Sequence, residues 1–159
     1  VAARFYLGSH HASARWFALG VPLFASVRVL GQRKRFPRAL APWALDSGGF
    51  TELSSPPHRW TTTPAEYVAA VRRLEAGIGQ LAWVASQDWM CEPWIVAKTG
   101  LTVLEHQART VDNFLQLRAE LGGLVIPVIQ GYGPRDYDRC IGRYQDNGVD
   151  LAAEPVVGL

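Results

Sequence analysis

Four short stretches carry most of the side chains that could do chemistry. They are Asp46-Ser47-Gly48-Gly49-Phe50, Gln87-Asp88-Trp89-Met90-Cys91-Glu92-Pro93-Trp94, Gln130-Gly131-Tyr132 and Glu154-Pro155-Val156-Val157-Gly158. Each follows an apolar run. Together they offer carboxylates, an amide, glycine-bearing turns and aromatic rings, a set that suits a planar heterocycle with donors and acceptors on its edge. A carboxylate can accept two hydrogen bonds from adjacent N–H groups, as on the N1 and 2-amino edge of a guanine-like base. A glutamine amide or a backbone N–H can donate to an exocyclic oxygen. A Phe or Tyr ring can stack on the base face, and glycines let the backbone come close. Every one of these residues also has a plain role. An Asp after a strand is often a cap or turn residue, Gln130-Gly131 can simply open a loop, and Trp89 and Trp94 can fill core. Four such positions on successive strand ends weaken the purely structural reading. Asp46 and Asp88 also fit a glycosidase-like hydrolase, whose paired carboxyls stand roughly 5–9.5 Å apart.

The elements that must position these residues alternate in type. Apolar runs at Phe5-Tyr6-Leu7, Pro22 to Ala25, Trp43 to Leu45, Leu81 to Ala85, Leu124 to Ile129 and Val149 to Ala153 read as six strands. The fifth is almost wholly apolar, as a strand buried on both faces should be. Helices are expected from Ala12 to Leu19, from Thr63 to Gly77, from Thr102 to Leu121 and from Pro134 to Gln145. Thr63-Pro64-Ala65-Glu66 is a start signal, with an N-cap threonine, a proline at the first helical position and an acid behind it. The stripe of the Thr102 helix is expected on Val103, Leu104, Ala108, Val111, Phe114, Leu115 and Leu117. Ser54-Ser55-Pro56-Pro57 reads as an exposed loop. Strand–helix–strand repetition of this kind argues a parallel α/β sheet, and both an open doubly wound sheet and a (β/α)8 barrel fit. In either, ligands bind at the carboxyl ends of the strands, where the four stretches fall.

Composition removes several classes. With 48% hydrophobic and 19% charged residues in 159, the chain is globular. A net charge of +2 does not by itself imply a polyanion partner. Arg28, Arg33, Lys34, Arg35 and Arg38 fall close together with no acid among them. That stretch is either a solvated basic loop or a phosphate-contacting patch, with Arg33, Lys34 and Arg35 the candidate contacts to a nucleic-acid backbone. No apolar run is long enough for a membrane span, and no secretory signal is visible. Cys91 and Cys140 have no CxxC partner, and His10, His11, His58 and His106 form no HExxH pattern, so no metal site is expected. A cytoplasmic location is the default for such cysteine usage. No dinucleotide or P-loop glycine pattern follows any strand.

These residues also carry a resemblance. Ala44-Leu45-Asp46-Ser47-Gly48-Gly49-Phe50 resembles the DSGG(F/Y) motif of the tRNA-guanine transglycosylase superfamily. Ile126-Pro127-Val128-Ile129-Gln130-Gly131 resembles that superfamily's strand ending in Gln-Gly, and Leu151 to Leu159 the strand leading into its Gly-Leu base-binding turn. The QDWMCEPW block is more similar to the DpdA-like branch, which inserts 7-deazaguanines into DNA. The resemblance covers nearly the whole chain in the expected order. It implies a (β/α)8 TIM barrel and exchange of guanine for a 7-deazaguanine such as 7-cyano-7-deazaguanine, with no cofactor. In that chemistry an aspartate attacks C1′, and the incoming base displaces the covalent intermediate. By motif position, Asp46 matches an acid/base aspartate and Phe50 the stacking aromatic. Asp88 matches the aspartate that reads the guanine edge, Gln130 the amide reader, and Gly158 the backbone donor. Ser47 and Gly131 complete the base-binding set.

The resemblance also sets expectations about extent. A barrel typically takes about 250 residues and eight strands. Residues 1–159 are therefore expected to form an incomplete barrel of about six strands. The remaining strands, the nucleophilic aspartate and any zinc site are expected beyond Leu159 or from a partner chain. A tRNA substrate in place of DNA and a non-catalytic nucleobase or nucleic-acid binding module are the alternatives.

Overall fold

The two longest helices start on capping signals visible in the sequence. The computed structural model describes residues 4–9 and 14–159, so His10, His11 and the expected helix start at Ala12 lie outside the described residues. Among the described residues there are five strands: β1 (Leu7–Ser9), β2 (Leu23–Ser26), β3 (Trp43–Asp46), β4 (Leu81–Ala85) and β5 (Val125–Ile126). Between and after them lie α1 (Ala14–Phe17), α2 (Val27–Gly31), α3 (Gly49–Ser54), α4 (Pro64–Ile78), α5 (Pro93–Thr99), α6 (Val103–Leu121) and α7 (Pro134–Asp146). Thr63 caps α4 and Thr102 caps α6. Each accepts from the backbone N–H of the third helical residue, Glu66 or Glu105, whose carboxylate reaches back to the cap.

The strands are parallel, and each lies beside its predecessor, in the order β1-β2-β3-β4-β5. A doubly wound sheet needs a reversal of strand order, and the described strands have none. Right-handed crossovers that all step the same way place their helices on one face. The sheet is open, with β1 and β5 at its edges.

Alternation along each strand divides the two faces. Leu23, Ala25, Trp43, Leu45, Val84 and Val125 join the core under the helices with Val71, Leu74, Phe114 and Leu117. Trp43 is fully buried and donates its indole N–H to the Gly79 carbonyl at 2.7 Å. The other face carries Phe24, Asp46, Trp83, Ala85 and Ile126, which border a single cavity. The β3–β4 register shifts after Trp43, which pairs with Leu81, so that Ala44 pairs with Trp83. That shift passes over Ala82 and turns Trp83 to the cavity face.

Three expectations need correction. The run from Val149 to Ala153 is a turn, not a sixth strand, and the Asp150 carboxylate accepts from the Ala152 amide at 3.0 Å. An Asx turn of this kind competes with strand pairing. The place beside β5 is taken further on, where Gly158 makes a parallel bridge to Val128. The fifth strand is shorter than its apolar run, because Pro127 has no N–H for the ladder. The first strand lies at Leu7–Ser9, displaced toward the C-terminus from Phe5-Tyr6-Leu7. The short helices α2, α3 and α5 carry too few residues for a helical period to show in the sequence.

A buried acid ties the connections on one end of the sheet together. The Glu52 carboxylate accepts from Arg28 Nη1 at 2.7 Å, Thr61 N at 2.8 Å, Thr61 Oγ1 at 2.7 Å and Thr62 Oγ1 at 3.3 Å. One side chain thus joins α3 to α2 and to the loop before α4. Removing it would leave these donors without their acceptor. Glu52→Ala is expected to cost about 3 kcal/mol in urea unfolding and to make residues 55–62 the first site of limited proteolysis.

Candidate functional site

The carboxyl ends of β2 to β5 surround a cavity of about 390 Å³, a size typical of small-molecule sites. Its polar wall is made by Asp46 at the end of β3, Asp88 and Glu92 from the loop after β4, and Gln130 after β5. Phe24 and Trp83, whose rings lie 5.2 Å apart, give it an aromatic side, and Tyr6 packs against Trp83 at 5.4 Å outside the lining. Phe50 stands at the mouth, 58% exposed. Among the described residues that line the cavity there are three carboxylates and no Lys, Arg or His.

Asp88 is the centre of the hydrogen-bonding set. Its Oδ2 accepts from Gln130 Nε2 at 2.7 Å and its Oδ1 from Ser47 Oγ at 3.3 Å. Its carbonyl accepts from the Trp60 indole N–H at 3.1 Å. Burial pushes the Asp88 carboxyl up to about 6, and the charges of Asp46 and Glu92 act in the same direction against the Ser47 hydrogen bond. The Gln130 amide nitrogen has a second hydrogen to offer a ligand. Asp46 accepts from the Gly48 amide at 3.2 Å, which closes the turn after β3.

Two glycines make the Asp46–Phe50 turn possible. Gly48 has φ +82°, and a Cβ there would stand 2.8 Å from Arg28 Cγ. Gly49 is tight for a different reason: a Cβ would lie 3.2 Å from Asp88 Oδ1 and 3.2 Å from Trp60 Cζ2, so one of these neighbours would have to give way. The turn and the Asp88 loop touch at that point.

One face of α6 holds the recognition loops from behind. Thr110 Oγ1 accepts from Trp89 N at 2.8 Å, and Asn113 Nδ2 donates to the Gln87 carbonyl at 2.7 Å. Gln107 Nε2 donates to the carbonyls of Gln130 at 2.8 Å and Asp136 at 2.7 Å. His106 bridges the Met90 carbonyl, 2.6 Å from Nδ1, and Thr99 Oγ1, 2.7 Å from Nε2. Burial lowers the His106 pKa, which favours the neutral ring suited to that bridge. The sequence reading missed this stripe. It gave α6 an apolar face that included Leu104, which is exposed, while His106, Gln107 and Thr110 are buried. The signal available was polar residues at positions 106, 110 and 113, spaced like core residues.

A family model described as "DpdA: DeoxyPurine in DNA protein A" matches residues 1–159. The chain belongs to the DpdA family. No curated protein and no solved structure matches it.

In this DpdA-family chain the structure brings most of the expected site residues to one place. Asp46, Phe50, Asp88, Gln130, Gly131 and Gly158 all line the cavity, and Ser47 touches it through Asp88. Gly131 packs against the start of α7, where a Cβ would meet Tyr137 N at 2.8 Å. The Gly158 amide already donates to the Pro127 carbonyl at 2.9 Å, so it is engaged in the bridge to β5. Glu92, which had no assigned role, also faces the cavity, and its Oε2 is buried without a hydrogen-bond partner. Arg33, Lys34 and Arg35 are not brought to the cavity. Arg73, in the later half of α4, donates to the carbonyls of Gly31 and Arg33 at 2.9 Å each. Arg38 donates to the Ala76 carbonyl at 3.1 Å. The Arg33–Arg38 part of the basic stretch thus lies with the C-terminal end of α4, at the opposite end of the sheet from the cavity, while Arg28 stays beside the turn after β3. Among the described residues no group of three or more His, Cys, Asp or Glu is arranged to hold a metal ion. No helix among them is long and apolar enough to cross a membrane.

The raised Asp88 pKa makes stability depend on pH. Below the ordinary value of 3.8 the carboxyl is neutral in both folded and unfolded chains, and its contribution is fully present. As pH rises through about 6 the folded chain must ionise it, and that contribution is lost. Asp88→Asn removes the titration. Relative to the parent, the variant is expected to gain about 1–2 kcal/mol between pH values of about 4 and about 8, read by urea unfolding.

Proposed function

We propose that this chain recognises guanine and a 7-deazaguanine as part of a base exchange in DNA. The observation that carries the reading is the Asp88–Gln130 pair on the wall of an acidic cavity with Phe50 at its mouth. Three carboxylates, with no cation among the described lining residues, favour a ligand rich in N–H donors and repel a phosphate. A guanine edge presents two such donors side by side to Asp88, and Gln130 can donate to the oxygen next to them. Membership of a family described by deoxypurine in DNA supports a deazapurine ligand and a DNA substrate. The strands step in one direction without reversal, as in a (β/α)8 barrel, which supports that architecture for the complete domain.

In the proposed reaction the bond between C1′ and the leaving guanine breaks, and a carboxylate takes C1′ as a glycosyl-enzyme ester. The incoming 7-deazaguanine gives up its ring N–H proton, bonds to C1′ and releases the carboxylate. Asp46 is the group proposed to hand a proton to the leaving base and accept one from the incoming base. The resemblance assigns the attacking aspartate to a later strand, so none of the three cavity carboxylates is given that role. The remaining strands would come from further sequence or from a partner chain.

Ligand binding tests the reading directly. Calorimetry with 7-cyano-7-deazaguanine near pH 7.5 is expected to show binding by the parent chain and at least about a hundredfold loss in Asp88→Asn. The amide would set its own donors against those of the base. Affinity of the parent should also fall as pH drops below about 6, where Asp88 takes up a proton. Equal affinity in the variant would remove Asp88 from base recognition.

A further inference from the structure

The electrostatics of the cavity restrict where a DNA strand can run. Asp46, Asp88 and Glu92 line it with no cation among the described lining residues, which disfavours a phosphodiester there and favours a base. The rest of the strand must lie on the rim. Arg33, Lys34 and Arg35 lie at the other end of the sheet, so the rim needs contacts of its own.

The rim formed by α3 and α5 has them. Phe50 on α3 and Trp94 on α5 are 58% and 45% exposed, and their rings meet edge to face at 5.7 Å. Phe50 lines the cavity and Trp94 lies outside it. The two rings thus form a step from the inside of the cavity to the outer surface. Lys98, one helical turn beyond Trp94, holds its ammonium 5.3 Å from the Trp94 ring centre. The same ammonium donates one hydrogen bond, 2.9 Å to the Ser54 carbonyl, which leaves hydrogens for an anion. Leu53, Trp89 and Ile95 make a separate small core beneath these residues, so the rings sit on a packed base.

We propose that Trp94 and Lys98 form a platform for the single strand next to the exchanged nucleotide. The neighbouring base stacks on Trp94, and Lys98 contacts the phosphate between that base and the one in the cavity. Indole faces stack on any base, so the platform supplies strand affinity without choosing a sequence. This inference rests on the base-exchange reading of the cavity.

Fluorescence anisotropy with a labelled single-stranded DNA oligonucleotide carrying one guanine tests it. Trp94→Ala is expected to weaken binding about tenfold, within the range of one lost base–aromatic stack. Trp94→Phe should keep most of the affinity. Lys98→Gln should lower the slope of log affinity against log salt by about 0.7, one single-strand phosphate contact. A strand lacking the base beside the guanine should bind the parent about tenfold more weakly and lose nothing further in Trp94→Ala. Unchanged strand affinity in Trp94→Ala, additive losses with the abasic strand, or no strand binding by the parent would each overturn the platform. Calorimetry with free 7-cyano-7-deazaguanine separates the two readings. A parent that binds the free base but not the strand through Trp94 loses only the platform. A parent that binds the strand through Trp94 but never the free base loses the base-exchange reading instead.

Discussion

Holding the Asp88 carboxylate next to two other acids in a half-buried wall is the constraint on which the rest of the site depends. An acid so placed resists ionisation, and loose placement would let it swing to water. The fold therefore grips it from every side. Gln130 and Ser47 bond its oxygens, Trp60 bonds its carbonyl, and Gly49 is bare so that its oxygen can come close. Behind these, α6 spends three buried polar side chains, His106, Gln107 and Thr110, on the backbone of the two loops that carry Asp88 and Gln130. Polar groups in a helix–sheet interface are costly unless paired, and here the pairing is what fixes the loops.

The same logic explains the contacts between neighbouring strand ends. Arg28 follows β2, packs under Gly48 of the turn after β3, and reaches Glu52 on α3. Glu52 in turn holds Thr61 and Thr62, and the Gln87 amide nitrogen bonds the Thr62 carbonyl at 2.9 Å. From β2 to the loop after β4, each connection is therefore bonded to the next. A cavity built on separate loops acquires a continuous frame in this way, and its wall residues keep their spacing.

Much of this was legible in the sequence, for identifiable reasons. Asp46, Asp88 and Gln130 each follow an apolar run, and the rule that ligands sit at strand ends brings them together without coordinates. The β4 limits Leu81 and Ala85 and the Thr63 and Thr102 caps are local signals, and local signals survive folding. Other features depend on what the chain meets far away. Val149 to Ala153 has the apolar content of a strand, but the Asp150 carboxylate folds it back onto the Ala152 amide. The buried face of α6 is hidden in the sequence because a buried threonine or glutamine reads as solvent-facing until its partner is known. Arg33 to Arg35 were legible as a cluster, but which end of the sheet they reach is set by packing on α4. Glu92 showed no periodicity, and only its place in the loop turns it to the cavity.

The rings of Phe24 and Trp83 that line the cavity have a further consequence. A glycosyl group held between two bases is open to attack by water, and each such attack would leave an abasic lesion in the strand. The ring faces of Phe24 and Trp83 offer water few hydrogen-bond partners on that side of the cavity, so in the proposed exchange they would thin the solvent there. The balance between the proposed swap of a base and loss of a nucleotide would then rest in part on two aromatic side chains outside the acid–amide set.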